Sequence, residues 1–130
     1  MSKTIISTKN SPAAIGPYSQ AVKITGNIIF TSGQIPLNPM TGDLVSDKFD
    51  EQTIQTLKNI EGILNERKCG IDNIIKLTVY LVDLSNFDVL NKIFEDFFDK
   101  KSYPARSVVE VSKLPKNSQV EIEAIFYDEN

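Results

Sequence analysis

The sequence predicts an α+β domain, a mixed β-sheet with two helices packed on one face. Three observations predict it. Residues 47–68 and 87–98 carry apolar side chains at helical spacing. Residues 74–82, 105–111 and 120–127 alternate apolar and polar side chains as strands do. The order is strands, helix, strand, helix, strands, with no repeat, linker or low-complexity tract, so residues 1–130 form one domain.

Ile5-Ile6 reads as a short edge strand, and Asn10 to Gly16 as a surface loop rich in Pro, Ala and Gly. The apolar runs Ala21 to Ile24 and Ile28 to Ser32 flank Thr25-Gly26-Asn27, which predicts a tight hairpin between them. Gln34 to Ser46 holds Pro36, Pro39 and Gly42 and reads as a loop with a turn. In the first helix Ile54, Leu57, Ile60 and Leu64 form one stripe, with Ser46 or Asp47 as N-cap and Gly70 as the C-terminal stop. In the second helix Phe87, Leu90, Phe94, Phe97 and their apolar neighbours make a surface wider than one sheet face requires, which predicts a further contact. Asn91 lies among them.

Composition excludes much chemistry. There is no histidine, so Ser-His-Asp and Cys-His nucleophile systems and histidine metal sites are excluded. Cys69 is the single cysteine, which leaves no internal disulfide and no cysteine metal cluster; it reads as a small structural residue. The net charge of -3 gives no basic footprint for nucleic acid. Met1 to Ser11 lacks an apolar signal core, so a cytoplasmic protein with no membrane segment is expected.

The chemistry gathers at Tyr103 to Glu123. Arg106 opens one strand and Glu121 the next, both where a half-buried strand usually carries an apolar residue. The chain holds two arginines against twelve lysines, so arginine at 106 points to its planar fork, which grips a carboxylate by two hydrogen bonds. From spacing alone, a structural Arg106–Glu121 ion pair at a subunit interface competes with an active site. A mixed face of Val108, Ile125 and Tyr127 beside Arg106, Glu121 and Glu123 is expected to meet another copy of the chain, because two helices cannot cover both sides of the sheet.

Gly16-Pro17-Tyr18-Ser19-Gln20, Thr31-Ser32-Gly33-Gln34-Ile35-Pro36, Tyr103-Pro104-Ala105-Arg106-Ser107-Val108-Val109-Glu110-Val111, Leu114-Pro115 and Val120-Glu121-Ile122-Glu123-Ala124 together resemble the Rid family, also called YjgF-like, and its RidA branch in particular. The likeness runs from Lys3 to Ile125. It implies a chorismate-mutase-like fold assembled as a homotrimer, with sites in the clefts between subunits. The implied activity is hydrolysis of 2-imino acids and their enamine tautomers, released by pyridoxal-phosphate dehydratases, to 2-oxo acids and ammonia without a cofactor or metal. Carried over by position, Arg106 holds the substrate carboxylate and Glu121 the attacking water, while Tyr18, Ser32, Gly33, Asn91 and Val108 line the site. Many bacterial relatives have cysteine where this chain has Val108, so a thiol mechanism at that position is closed to it.

The implied chemistry suits these residue types. An imine carbon is already electrophilic, so the protein supplies orientation, a placed water and a proton route. Arginine stays protonated and forms no Schiff base, and glutamate serves as water holder and base. Three rivals stand beside this reading. One is a small-carboxylate binding or regulatory module without turnover. The second is chorismate mutase, whose dianionic substrate asks for more arginines than Arg67 adds. The third is a ribonuclease or translation inhibitor, which the acidic balance disfavours.

Overall fold

A computed structural model describes residues 2–100 and 102–129. The elements in order are β1 (Ser2–Ile6), β2 (Ala21–Thr25), β3 (Asn27–Phe30), α1 (Phe49–Glu66), β4 (Ile74–Leu81), α2 (Phe87–Phe97), β5 (Ala105–Glu110) and β6 (Val120–Asp128). The main sheet has the order β3-β6-β4-β5; β4 and β5 are parallel, and β6 runs antiparallel to β3 and β4. This is the α+β fold with a mixed sheet and both helices on one face.

The helices share a face for a topological reason. The chain steps from β3 through α1 to β4, and from β4 through α2 to β5, moving the same way across the sheet each time. Right-handed crossovers in one direction put both helices on one side. Beneath them Leu77, Val79, Leu81, Val120, Ile122 and Phe126 form a closed core with Leu57, Ile60, Leu64, Leu90 and Phe94. No helix among the described residues is long and apolar enough to cross a membrane.

The hairpin expected at Thr25 to Asn27 does not form. β2 pairs instead with β1, from Ser2 opposite Thr25 to Ile6 opposite Ala21, and β3 pairs with β6. One residue, Gly26 at φ 134°, separates the two strands. A two-residue hairpin loop needs more chain and commonly positive φ at both positions, so the backbone turns a corner between two sheets. The β1–β2 ribbon lies on the helix-free side, where Ala21 and Val22 share a pocket of about 420 Å³ with Ile75, Lys76 and Ile125.

The caps of α1 also depart from expectation. The N-cap is Lys48, without a side-chain cap, and Ser46 Oγ accepts from the Lys48 N–H at 3.0 Å in the turn before the helix. At the other end Lys68, not Gly70, takes the left-handed conformation, at φ 58°. The N–H groups of Lys68 and Cys69 then reach back to the carbonyls of Asn65 and Leu64 at 3.0 and 2.9 Å. Ile54 faces outward, and Gln52, Thr53 and Thr56 occupy the buried stripe in its place. They are tolerated there because Thr53 and Thr56 donate to carbonyls one turn back. Gln52 donates to the Ser46 carbonyl and accepts the Gln119 N–H at 2.8 Å.

Candidate active site

Two clusters of polar side chains emerge, one on each side of the sheet. The first surrounds Arg106. In the parallel β4–β5 ladder Arg106 pairs with Leu77, so its side chain points toward the helices. There it meets α2 along the stripe Phe87, Asn91 and Phe94, spaced by four and three residues. The guanidinium carbon lies 5.5 Å from the Phe87 ring centre, 5.2 Å from that of Phe94 and 5.7 Å from that of Tyr18. Arg106 Nη1 donates to Asn91 Oδ1 at 2.8 Å. Among the described residues no other acceptor takes its remaining N–H groups, which leaves donors for a carboxylate. Burial lowers the guanidinium pKa, with the neighbouring Tyr18 opposing the shift, and an arginine starts high enough to stay charged.

Tyr18 is brought there by a junction between two sequence blocks. The Ser19 N–H donates to the Pro104 carbonyl at 2.9 Å, and Ser19 Oγ donates to the Tyr103 carbonyl. The Gly16 to Gln20 block is thereby fixed to the entry of β5. Gly16 lies beside the cluster: a Cβ there would make ordinary contact with Arg106 Nη2, at 3.8 Å. Gln20 anchors the preceding loop, accepting the Thr8 N–H and donating to the carbonyls of Thr8 and Pro12.

The second cluster surrounds Glu121. Beyond β3, Thr31 bonds with Ala124 and Gln34 with Ile122. Two residues, Ser32 and Gly33, therefore oppose the single residue Glu123, which is a β-bulge. The Glu121 carboxylate lies against the Gly33 backbone: a Cβ on Gly33 would meet Glu121 Oε2 at 1.9 Å. The carboxylate can hold this position only beside a glycine, because any Cβ there would push it aside. Across the ladder Tyr80 faces Glu121 and donates its hydroxyl to Glu123 Oε1 at 2.6 Å. That bond, followed by burial and the two carboxylates, raises the Tyr80 pKa.

The structure thus gathers Tyr18, Asn91 and Arg106 in one place, and Gly33 with Glu121 in another; Ser32 adjoins Gly33 in the bulge. Val108 pairs with Val79 and packs against the core on the Arg106 side. The expected mixed face is corrected. Arg106 and Val108 face the helices, whereas Glu121 and Glu123, opposite Tyr80 and Thr78, face away from them. Tyr127 is buried. The open side instead presents Phe30, 72% exposed, with Ile28 and Val109. No Arg106–Glu121 ion pair can form within one chain, since the whole sheet and strand β4 lie between them.

Sequence reasoning took Phe87 and Phe94 only as surplus apolar surface; that surplus is the wall around Arg106. Thr31 carried no signal beyond its place at the head of the Thr31 to Pro36 motif block, and Tyr80 none beyond strand propensity. The second arginine is engaged elsewhere: Arg67 Nε donates to Asp128 Oδ2 at 2.7 Å, which removes it as a candidate second anchor for a dianion. Cys69 is buried, its thiol against the carbonyls of Arg67 and Tyr127, and burial pushes its pKa up, as befits an unreactive thiol.

Similarities to known proteins run along the same motif blocks. A family model described as Endoribonuclease L-PSP matches residues 8–127. A 2-iminobutanoate/2-iminopropanoate deaminase of Escherichia coli K12 is 48% identical over 127 residues, covering 96% of this chain and 97% of that one. The solved structure of YyfA, a protein of unknown function of the conserved Rid family from Yersinia pestis, is 49% identical; the match covers 96% of this chain and 98% of that one, with a TM-score of 0.75. Escherichia coli TdcF, solved with bound serine, is 41% identical over 97% of this chain and 99% of its own, also with a TM-score of 0.75. The chain therefore belongs to the family described as Endoribonuclease L-PSP, the Rid or YjgF-like family that its motif blocks resemble.

Proposed function

We propose that this protein is a cytoplasmic hydrolytic deaminase of 2-imino acids and their enamine tautomers, working as a chorismate-mutase-like homotrimer. The observation that carries the composite site is the placement of Arg106 and Glu121 on opposite faces of one sheet. Two strand spacings of about 4.8 Å also separate β5 from β6. A substrate held by Arg106 can reach Glu121 only if that glutamate belongs to another copy. A closed ring needs two different patches on each chain, one meeting the other on its neighbour. The Arg106 cluster and the open face with Phe30, Val109 and Glu121 supply such a pair.

The chemistry comes from the groups themselves. Arg106, steadied by Asn91, holds the substrate carboxylate, with Tyr18 and Phe87 beside it. The neighbour's Glu121, backed by Gly33 and flanked by Ser32, holds a water against the imine carbon. As the C–O bond forms, Glu121 takes a proton from the water and the C=N electron pair moves to nitrogen. Glu121 returns that proton to nitrogen, which completes the carbinolamine; it then takes the hydroxyl proton and passes it to the amine as the C–N bond breaks and C=O forms, and ammonia leaves. The atoms balance as imine plus water to 2-oxo acid plus ammonia, and neither a redox partner nor a thiol at Val108 enters. The deaminase named among the relatives supports this reading. The ribonuclease named in the family description finds little support in a chain of net charge -3 without histidine.

The test is complementation. Chains carrying Arg106→Lys and chains carrying Glu121→Gln, each inactive alone, are co-expressed in equal amounts and assayed by ammonia release with a dehydratase making the imine in place. Random assembly restores roughly a quarter of the sites, those pairing an intact Arg106 with a neighbour's intact Glu121. A mixture as inactive as either parent, beside an active wild-type control, rules out the composite site.

A further inference from the structure

We infer that the Thr31 hydroxyl is a positioning group for the Glu121 half of the site, an inference that rests on the reading of Glu121 as water holder and base. The Thr31 N–H donates to the Ala124 carbonyl at 2.9 Å, as in an ordinary antiparallel pair. The return bond is not ordinary. The Ala124 N–H donates to Thr31 Oγ1 at 3.0 Å, where a regular ladder would use the Thr31 main-chain carbonyl. The hydroxyl stands in for that carbonyl, so the backbone leaves the ladder without orphaning the Ala124 N–H.

Leaving the ladder at Thr31 changes the register of the next three residues. With an unbroken ladder, Gly33 would pair with Ile122 and lie on the helix side, away from Glu121. In the structure Gln34 takes that place, bonded to Ile122 at 2.8 and 3.0 Å, and Gly33 is moved by one residue to the Glu121 carboxylate. Thr31 lies one residue from Ser32 and two from Gly33, and its hydroxyl is the exchanged acceptor at the start of the bulge. It acts through the backbone that backs Glu121, and touches no reacting atom.

Thr31→Val keeps the shape and loses the acceptor; Thr31→Ser keeps the acceptor. On assembled protein, Thr31→Val is expected to lower kcat about tenfold or more, because a misplacement near 1 Å can cost about 10²-fold and a shift of part of that distance correspondingly less. Affinity for a 2-oxo acid is expected to stay within about twofold, since the carboxylate is held by the neighbour's Arg106, whose Asn91 bond and ring contacts do not involve Thr31. Thr31→Ser is expected to restore most of the turnover. A Thr31→Val protein with lowered Tm but wild-type kcat overturns the inference, as does a Thr31→Ser protein no better than valine. If valine does not assemble, Thr31→Ala replaces it under the same criteria. If alanine fails too, the wild-type Ala124 amide decides: hydrogen exchange as slow as at Ile122 upholds the bond, and exchange at an unbonded rate overturns it. Glu121→Gln runs alongside. Its loss of turnover beside an unimpaired Thr31→Val defeats only the Thr31 inference, whereas full turnover by Glu121→Gln defeats the underlying reading.

Discussion

Arg106 Nη1 and Asn91 Oδ1 lie 2.8 Å apart, and this bond fixes which way the guanidinium fork faces. A neutral amide suits the task. It accepts one N–H without competing by charge for the remaining donors. Asn91→Asp is expected to form a carboxylate pair with Arg106 and to weaken 2-oxo acid binding about tenfold or more, with stability held or raised. Calorimetry on assembled protein checks it, and unchanged affinity would separate Arg106 from carboxylate binding.

Arg106→Lys is expected to lose most turnover although the charge is kept. Lysine offers no pair of parallel bonds, so the imine carbon sits loosely, with losses on the order of 10²-fold. Product affinity, measured by competition, is expected to fall in step. Wild-type turnover in this variant would make Arg106 structural.

Gly33→Ala separates activity from stability. The added methyl would run into the Glu121 carboxylate, the movable end of a side chain, so the fold yields cheaply. The expected result is a Tm close to wild type and a turnover loss on the order of 10²-fold, as the carboxylate is pushed aside. A marked fall in Tm with kcat intact contradicts it.

Cys69 is expected to set the start of alkaline unfolding. Its thiol pKa is raised by burial and by Asp128, and Tyr80, Tyr103 and Tyr127 are raised too. Each group binds its proton more tightly in the fold. Stability is therefore full below the unfolded pKa values, about 8.5 for the thiol and about 10 for the phenols, and is lost as pH rises from them through the higher folded values. Cys69→Ser is expected to remove the first part of that loss in pH-dependent melting and to leave turnover intact.

Lys68→Gly is expected to stabilise the chain. Lysine at φ 58° holds a conformation that costs an L-residue about 1–2 kcal/mol, partly offset by the greater freedom of glycine when unfolded. A gain of about 0.5–1 kcal/mol in chemical denaturation is the expected outcome, and a loss would mean that the Lys68 side chain holds the helix end.

The sequence carried the element order, both helices and the motif blocks, because periodicity and local turn chemistry are written residue by residue. Which face Arg106 takes was not legible. Along β5 the rows Arg106, Val108, Glu110 and Ser107, Val109 are both mixed, so no apolar side declares itself; the pairing of Arg106 with Leu77 decides. The missing hairpin has the same cause, since Gly26 permits a turn but distant partners choose the strand pairing. Thr31 reads as the first residue of a motif block at a strand end, and its hydroxyl has no visible task until Ala124 arrives opposite it. Phe87, Asn91 and Phe94 were visible as a stripe, and only the fold shows that the stripe surrounds a cation.

The crossovers that place both helices on one side of the sheet have a consequence for how the protein fails. In the proposed ring each chain serves two neighbours, lending its arginine to one cleft and its glutamate to the other. A copy defective in both residues but sound in its fold would be admitted to the ring and would silence the clefts on either side of it. Damage to one allele would then spread beyond its own product, and a cell making such a copy beside normal ones would lose more activity than the fraction of bad chains alone accounts for.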